Sequence, residues 1–327
     1  MGWTKSATTK SMARNGIAQD ATGRREFLRA AGSAGLAPPL RNWLAGREPA
    51  PLFRGANDRI NLAFLGTGCR GTANLAHSAQ VPGFHVVAVC DLETKDCGEI
   101  LADPSIDAVC IAAPVRLQAH LIVRACRAGK DVYVEPPVFG RLEEGPAMVE
   151  AARRFNRVVQ AGTALRSGAV FHEVREIVRS GELGGVTFCR IAGAKDPLPL
   201  IDLVQFLFDE AAPVSLDAQS GAGTIGITLR YPGFLASYQS APDPWGVSIH
   251  GSRATLTVSR SGYSLFPAGP EQTAVEQPCD PHMAHWKNFL ECIRTRRRPA
   301  GDIESCVRST EACLRAGLAM RHEWISG

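Results

Sequence analysis

No run of about 18 consecutive apolar residues occurs in the sequence, so no membrane-spanning helix is expected from it. Cys-x-x-Cys is missing as well: the ten cysteines are scattered, which removes the spacing a zinc site would need, and no metal is expected. Several of them, Cys90 and Cys110 among them, fall in apolar stretches where a thiol packs as a small hydrophobe, and no disulfide framework is expected. An excess of one charge is absent too: 36 Lys and Arg stand against 32 Asp and Glu, and a net +4 gives no ground for a nucleic-acid partner. The densest basic cluster, Arg294, Arg296, Arg297 and Arg298 before Pro299, follows a helical pattern from Trp286 to Ile293. Cations at a helix C-terminus answer the macrodipole without invoking nucleic acid or a membrane surface.

What is present fits a globular chain of more than one domain, with 327 residues, 45% of them hydrophobic and 21% charged. Residues 1–55 read as a signal and linker rather than as fold. Gly23-Arg24-Arg25-Glu26-Phe27-Leu28 resembles a twin-arginine signal and precedes the small-residue stretch Ala30 to Ala37, which would deliver a folded protein to a bacterial periplasm. Arg29 and Pro38-Pro39 shorten the apolar region, and a basic tail on a cytoplasmic protein is the other reading.

The most informative pattern begins at Ile60. A short apolar run to Phe64 leads into Gly66-Thr67-Gly68-Cys69-Arg70-Gly71, after which Ala73, Leu75 and Ala76 begin a helical spacing. Strand, glycine turn and helix in this order form a dinucleotide-binding fingerprint. Gly66 permits the tight turn, Gly68 lets backbone approach a pyrophosphate, Gly71 allows close helix packing, and the helix N-terminus offers N–H groups to phosphate. The next strand, His85 to Cys90, ends at Asp91, roughly 20 residues past the glycines, where a carboxylate accepts from the ribose hydroxyls and repels a 2′-phosphate. The expected cofactor is NAD rather than NADP.

Strand and helix patterns then alternate. Ile106 to Ala113 is a buried strand turning at Pro114, Leu117 to Arg127 a helix closed by Gly129, Asp131 to Glu135 a strand, Leu142 to Phe155 a helix, and Val158 to Gly162 a last strand. That density predicts an α/β, doubly wound parallel sheet over residues 58–165. Residues 166–327 read differently. Ile225, Ile227 and Leu229 alternate, Phe234, Ala236 and Tyr238 follow after a Pro-Gly turn, and Val247–Ile249, Thr255–Val258 and Tyr263–Phe266 continue the period, which predicts an antiparallel meander. Asp302 is the expected N-cap of a last helix with Ile303, Val307, Thr310, Leu314 and Leu318 as its buried stripe.

Four further segments name a relationship: Arg127 to Glu135, Val149 to Asn156, Gly162-Thr163 with Arg166-Ser167, and His285 to Arg294. In this order, from Ile60 to about Ile191 and again from Asp202 to Arg321, the sequence closely resembles the Gfo/Idh/MocA family. The resemblance implies a Rossmann domain followed by an α/β domain on an open, largely antiparallel sheet. It also implies a nicotinamide cofactor held by Gly66, Thr67, Gly68, Cys69, Arg70, Gly71, Asp91, Ala113, Pro114 and Glu135, a sugar or polyol-like substrate, and a homo-oligomer formed through the C-terminal sheet.

The sequence departs from the family where chemistry is expected. Glu135-Pro136-Pro137 stands where the family has Glu-Lys-Pro, and proline offers neither donor nor charge in place of a lysine whose proton transfer is worth roughly 10²–10⁴-fold in rate. Ala113-Pro114-Val115-Arg116-Leu117-Gln118 lacks the family's histidine-bearing loop, leaving His120 displaced towards the following helix. Pro199 falls where the acid-base histidine belongs, with only Asp202 of that motif kept, and about ten residues replace a longer substrate-covering segment. Glu135 and Asp202 are the remaining weak catalytic candidates, though Glu135 also suits a role in ordering the cofactor loop. His282 and His285 could bind a metal or simply pack at a helix start, and Tyr238, Trp245 and Trp286 could line a sugar site or belong to the core. Two readings follow: an NAD-linked oxidoreductase acting on a sugar-like alcohol, or a pseudoenzyme that keeps the fold and serves as a binding or assembly partner.

Overall fold

In the computed structural model, residues 59–91, 97–209, 211–240, 245–267, 272–276 and 280–323 are described, the side chains of 321–323 excepted. The twin-arginine-like segment lies outside the described residues. The first sheet is built from β1 (Ile60–Leu65), β2 (Phe84–Cys90), β3 (Ala108–Ile111), β4 (Asp131–Val134) and β5 (Val159–Ala161), all parallel, in the order β2-β1-β3-β4-β5. Its central strands are continuous apolar runs because both faces are covered. Leu62, Ala63 and Leu65 of β1 and all of β3 are wholly buried. Helices α1 (Cys69–Ser78), the short α2 (Gly98–Ala102), α3 (Val115–Arg127) and α4 (Glu144–Arg154) alternate with the strands. The chain leaves β1 first to one side and then to the other, so the carboxyl ends of β1 and β3 frame a topological switch point.

A 3-10 turn, Ala164–Ser167, leads into α5 (Ala169–Ser180), β6 (Val186–Gly193) and α6 (Leu198–Leu207). The rest of the second sheet is β7 (Ser215–Gly221), β8 (Thr224–Tyr231), β9 (Phe234–Ser240), β10 (Gly246–Gly251), β11 (Ala254–Val258), β12 (Gly262–Pro267) and β13 (Thr273–Glu276). The expected alternation holds: Ile227, Leu229, Ala236, Tyr238 and Ile249 all face a core against α5 and α6. The expected simple meander does not. Sheet order is β13-β12-β11-β10-β6-β9-β8-β7, with β6 inserted between β9 and β10 and parallel to β9. Turn chemistry specifies only neighbouring hairpins. Between β9 and β10 the sequence Ala241-Pro242-Asp243-Pro244 is no two-residue hairpin, and β6 fills the gap with Cys189 and Ile191 turned inward.

Helices α7 (Pro281–Thr295) and α8 (Ile303–Glu323) return to the first sheet. Trp286 of α7 stacks on Tyr133 of β4 at 4.1 Å, while Ile303 and Cys306 of α8 join the core of the parallel sheet. Asp302 caps α8 as expected, its Oδ1 accepting from the N–H groups of Glu304 at 3.0 Å and Ser305 at 3.2 Å. The buried stripe of α8 keeps Ile303 and Thr310 of the one expected and is otherwise shifted. Cys306, Ser309, Thr310, Ala312 and Ala316 face inward, and Leu318 is 43% exposed. Small residues let α8 lie close to β7 and α6, which puts its larger side chains at the rim.

Two local expectations are also corrected. Cys90 is not a free thiol: it is bonded to Cys97, seven positions further on and at the start of α2, and both are nearly buried. That spacing matches no familiar motif. The arginine cluster is tied to acids rather than only to the helix end, with Arg296 forked onto Asp131 at 2.7 and 2.9 Å and Arg298 on Asp302 at 2.7 Å.

Candidate cofactor site

The three glycines of the fingerprint differ in what surrounds them. Gly66 has φ +101°, and a Cβ there would lie 2.3 Å from the Ala112 carbonyl oxygen; a Cβ on Gly71 would lie 2.2 Å from the Gly66 oxygen. Both are demanded by the protein's own backbone. A Cβ on Gly68 would meet nothing within 4 Å, so at the N-terminus of α1 a bare backbone surface faces open space. This is the shape a pyrophosphate requires. Thr67 accepts a hydrogen bond from the Thr72 hydroxyl, Cys69 is a free and exposed thiol, and Arg70 extends from the first turn of α1 with 71% of its side chain exposed.

Around this loop the strand ends converge. Asp91 follows β2, Ala113 and Pro114 follow β3 with Pro114 capping α3, and Glu135 follows β4. The Glu135 carboxylate accepts from the Asn74 amide at 2.6 Å and lies 3.8 Å from the Arg70 guanidinium. Burial raises the Glu135 pKa above the usual carboxylate value, and the Asn74 hydrogen bond and Arg70 oppose that shift. The Trp286 indole N–H donates to the Oδ1 of Asn74 at 3.4 Å, so α7 helps to hold the amide that holds Glu135. Gly162, at the end of β5, leaves the necessary room, since a Cβ there would come 2.7 Å from Glu135 Oε1. Asn74 was not singled out from sequence, and Gly162 was named there as part of a family segment without a tie to Glu135. Nothing local in an Asn within a helix signals a partner 61 positions away.

The residues weighed for catalysis are engaged elsewhere. Asp202, 1% exposed, is forked by Arg166 at 2.7 and 2.9 Å and accepts from the Ser309 hydroxyl at 2.7 Å. Glu135 and Asp202 thus have separate partners rather than each other. Pro136 and Pro137 follow β4, and Pro199 sits in the first turn of α6, where a missing N–H costs nothing. The link from β6 to α6 is only residues 194–197, shorter than expected because β6 runs on to Gly193 and α6 already begins at Leu198. His120 lies on the exposed side of α3 itself.

His285 is wholly buried. Its Nε2 lies 2.7 Å from the Ala161 carbonyl oxygen, which can only accept, so Nε2 carries the proton and Nδ1 accepts from the Ser167 hydroxyl at 2.7 Å. Burial holds its pKa down at about 4. His282 stacks on His77 with ring centroids 5.2 Å apart, and burial, reinforced by His77, lowers its pKa. Among the described residues no group of three His, Cys, Asp or Glu could hold a metal ion. Of the aromatics considered for a sugar site, Trp286 and Tyr238 have no exposed surface. The Tyr238 hydroxyl donates to the Ala194 carbonyl, and burial pushes its pKa up to about 12. Trp245 is half-buried beneath the Arg260 guanidinium, 4.7 Å from its ring.

A doubly wound parallel sheet with a fingerprint loop at its switch point, joined to a largely antiparallel sheet, defines a two-sheet protein with a dinucleotide-binding Rossmann half. Residues 60–163 match the family model described as oxidoreductase family, NAD-binding Rossmann fold. The chain belongs to the Gfo/Idh/MocA family. It is 32% identical over 237 residues to an uncharacterized oxidoreductase of Rhizobium meliloti, covering 64% of this chain and 66% of that one. It is 30% identical over 145 residues to a scyllo-inositol 2-dehydrogenase (NAD(+)) of Bacillus subtilis, covering 38% and 42%. The chain therefore spans between about two fifths and two thirds of the length of these relatives. Its fold is similar to that of an aldose-aldose oxidoreductase from Caulobacter crescentus, with a TM-score of 0.69 and 20% identity over 81% of this chain and 98% of that one.

Proposed function

We propose that this chain binds NAD at the carboxyl edge of its parallel sheet and acts as an oxidoreductase on a sugar- or polyol-like alcohol. The observation that carries the reading is the contrast among the glycines: Gly66 and Gly71 are filled by backbone, while Gly68 is left bare over a helix N-terminus. Gly68 and the first N–H groups of α1 would hold the pyrophosphate, and Asp91 would accept from the adenosine ribose and disfavour a 2′-phosphate. Glu135, fixed by Asn74 and Arg70, would order the adjoining edge at β4. The bound nicotinamide supplies hydride transfer. The substrate class follows from the relatives named for an inositol and for aldoses. Export before residue 56 and pairing of copies through the second sheet belong to the same proposal.

A second reading is favoured by a specific set of residues. Pro136 and Pro199 occupy the positions of the expected acid-base groups, neither can move a proton, and Asp202 is sealed by Arg166. On that reading the protein keeps its cofactor and serves as a binding or assembly partner. Calorimetric titration with NAD, NADH and NADPH, followed by a turnover screen with inositols, aldoses and their acids, separates the two. NAD binding with turnover supports the enzyme; NAD binding without turnover supports the impaired form. Absence of any nicotinamide binding overturns both.

A further inference from the structure

Cys90 touches three parts of the cofactor edge. Its carbonyl accepts the Gly66 N–H at 2.8 Å and so fixes the turn that opens the glycine loop. Its successor in the chain is Asp91. Its sulfur is bonded to Cys97, the N-cap of α2. Helix α2 has five residues with Leu101 as its buried side chain, far too short to persist on its own. The bridge, with Cys90 6% and Cys97 4% exposed, is a covalent tie between the end of β2 and the start of α2. The seven other cysteines among the described residues are free, so covalent bridging there is confined to the wall beside Asp91.

We infer that the Cys90–Cys97 disulfide is a redox-sensitive positioning element for Asp91, tightening NAD binding when oxidised and weakening it when reduced. The inference rests on the NAD-binding reading above. Closing the chain on either side of Asp91 restricts the conformations from which it must be ordered, which is the preorganisation that strengthens binding. Reduction balances with a dithiol as co-reactant. One reductant thiolate attacks a protein sulfur, the S–S bond breaks as a mixed disulfide forms, and the second reductant thiol resolves it. Two electrons and two protons pass to Cys90 and Cys97, and the reductant leaves as its own disulfide.

The test is calorimetric titration of the full chain with NAD before and after dithiothreitol. Cysteine alkylation is mapped by mass spectrometry and secondary structure followed by circular dichroism. Cys90 and Cys97 should be alkylated only after reduction, and the Kd for NAD should then rise by about tenfold with the dichroism unchanged. Cys97→Ser should reproduce the weaker Kd without reductant. In Asp91→Ala the two redox states should bind alike, because the residue the bridge positions is gone. Equal Kd values in the two states of the native chain overturn the inference, as does alkylation of both cysteines before reduction. A redox difference that survives Asp91→Ala also overturns it, placing the effect in the glycine turn instead. No NAD binding in either state overturns the proposed function itself.

Discussion

Gly68 and Gly71 lie within one turn of each other and answer to different demands, which single substitutions can separate. Gly68 has an ordinary extended backbone with open space beyond its Cα, so Gly68→Val should leave thermal stability nearly unchanged while abolishing nicotinamide binding by calorimetry. Gly71→Ala forces a methyl against the Gly66 carbonyl and should cost roughly 1–3 kcal/mol of folding stability, read from urea unfolding. His285 provides a pH signature. Its folded pKa of about 4 lies below the ordinary value of 6.5, so the unfolded chain binds the proton more readily. The contribution is therefore complete above pH 6.5 and is lost as pH falls towards 4, by on the order of 3 kcal/mol. Urea midpoints measured across that window should fall steeply in the native chain and less steeply in His285→Gln; an equal slope would remove His285 as the cause. The glycines were legible in the sequence because they follow a local rule. The Arg166–Asp202 pair was not, because its partners come together only when α6 meets the turn after β5.

At the scale of elements, the periods of two and 3.6 residues located most strands and helices of both halves, since each period reports which face is buried. Pairing between distant elements left no such trace. The insertion of β6 beside β9, the close approach of α8 through Ala312 and Ala316, and the Trp286–Asn74–Glu135 chain linking α7, α1 and β4 all depend on contacts between residues far apart in sequence. That chain is open to test. Asn74→Leu removes the amide that favours the charged form of Glu135, so the carboxyl pKa should rise further and stability fall by about 1–3 kcal/mol. The loss should be larger at high pH, where the carboxylate must stay charged, and should shrink as pH falls and protonation relieves it. Chemical denaturation across a pH series decides, and a pH-independent loss would mean that packing rather than hydrogen bonding is at stake.

For the whole molecule, the face of the second sheet turned away from α5 and α6 carries exposed Phe188, Arg190, Thr228 and Gln239. This is the surface proposed to pair copies. Phe188→Glu should shift the protein to a smaller species in sedimentation velocity without lowering its melting temperature; an unchanged species would place the interface elsewhere. The docking of α7 and α8 on the first sheet has a different kind of consequence. Phe64, Phe84 and Tyr133 of the nucleotide-binding half close around Trp286 and Phe289, and its core takes in Ile303 and Cys306. A ribosome that has delivered every strand of the parallel sheet has still not delivered the side chains that seal it. At about 5–20 residues per second, the unfinished half waits several seconds or more with an apolar surface bare. During that interval the bare surface is prone to aggregate, and the glycine loop completes its surroundings only as synthesis reaches the last helices.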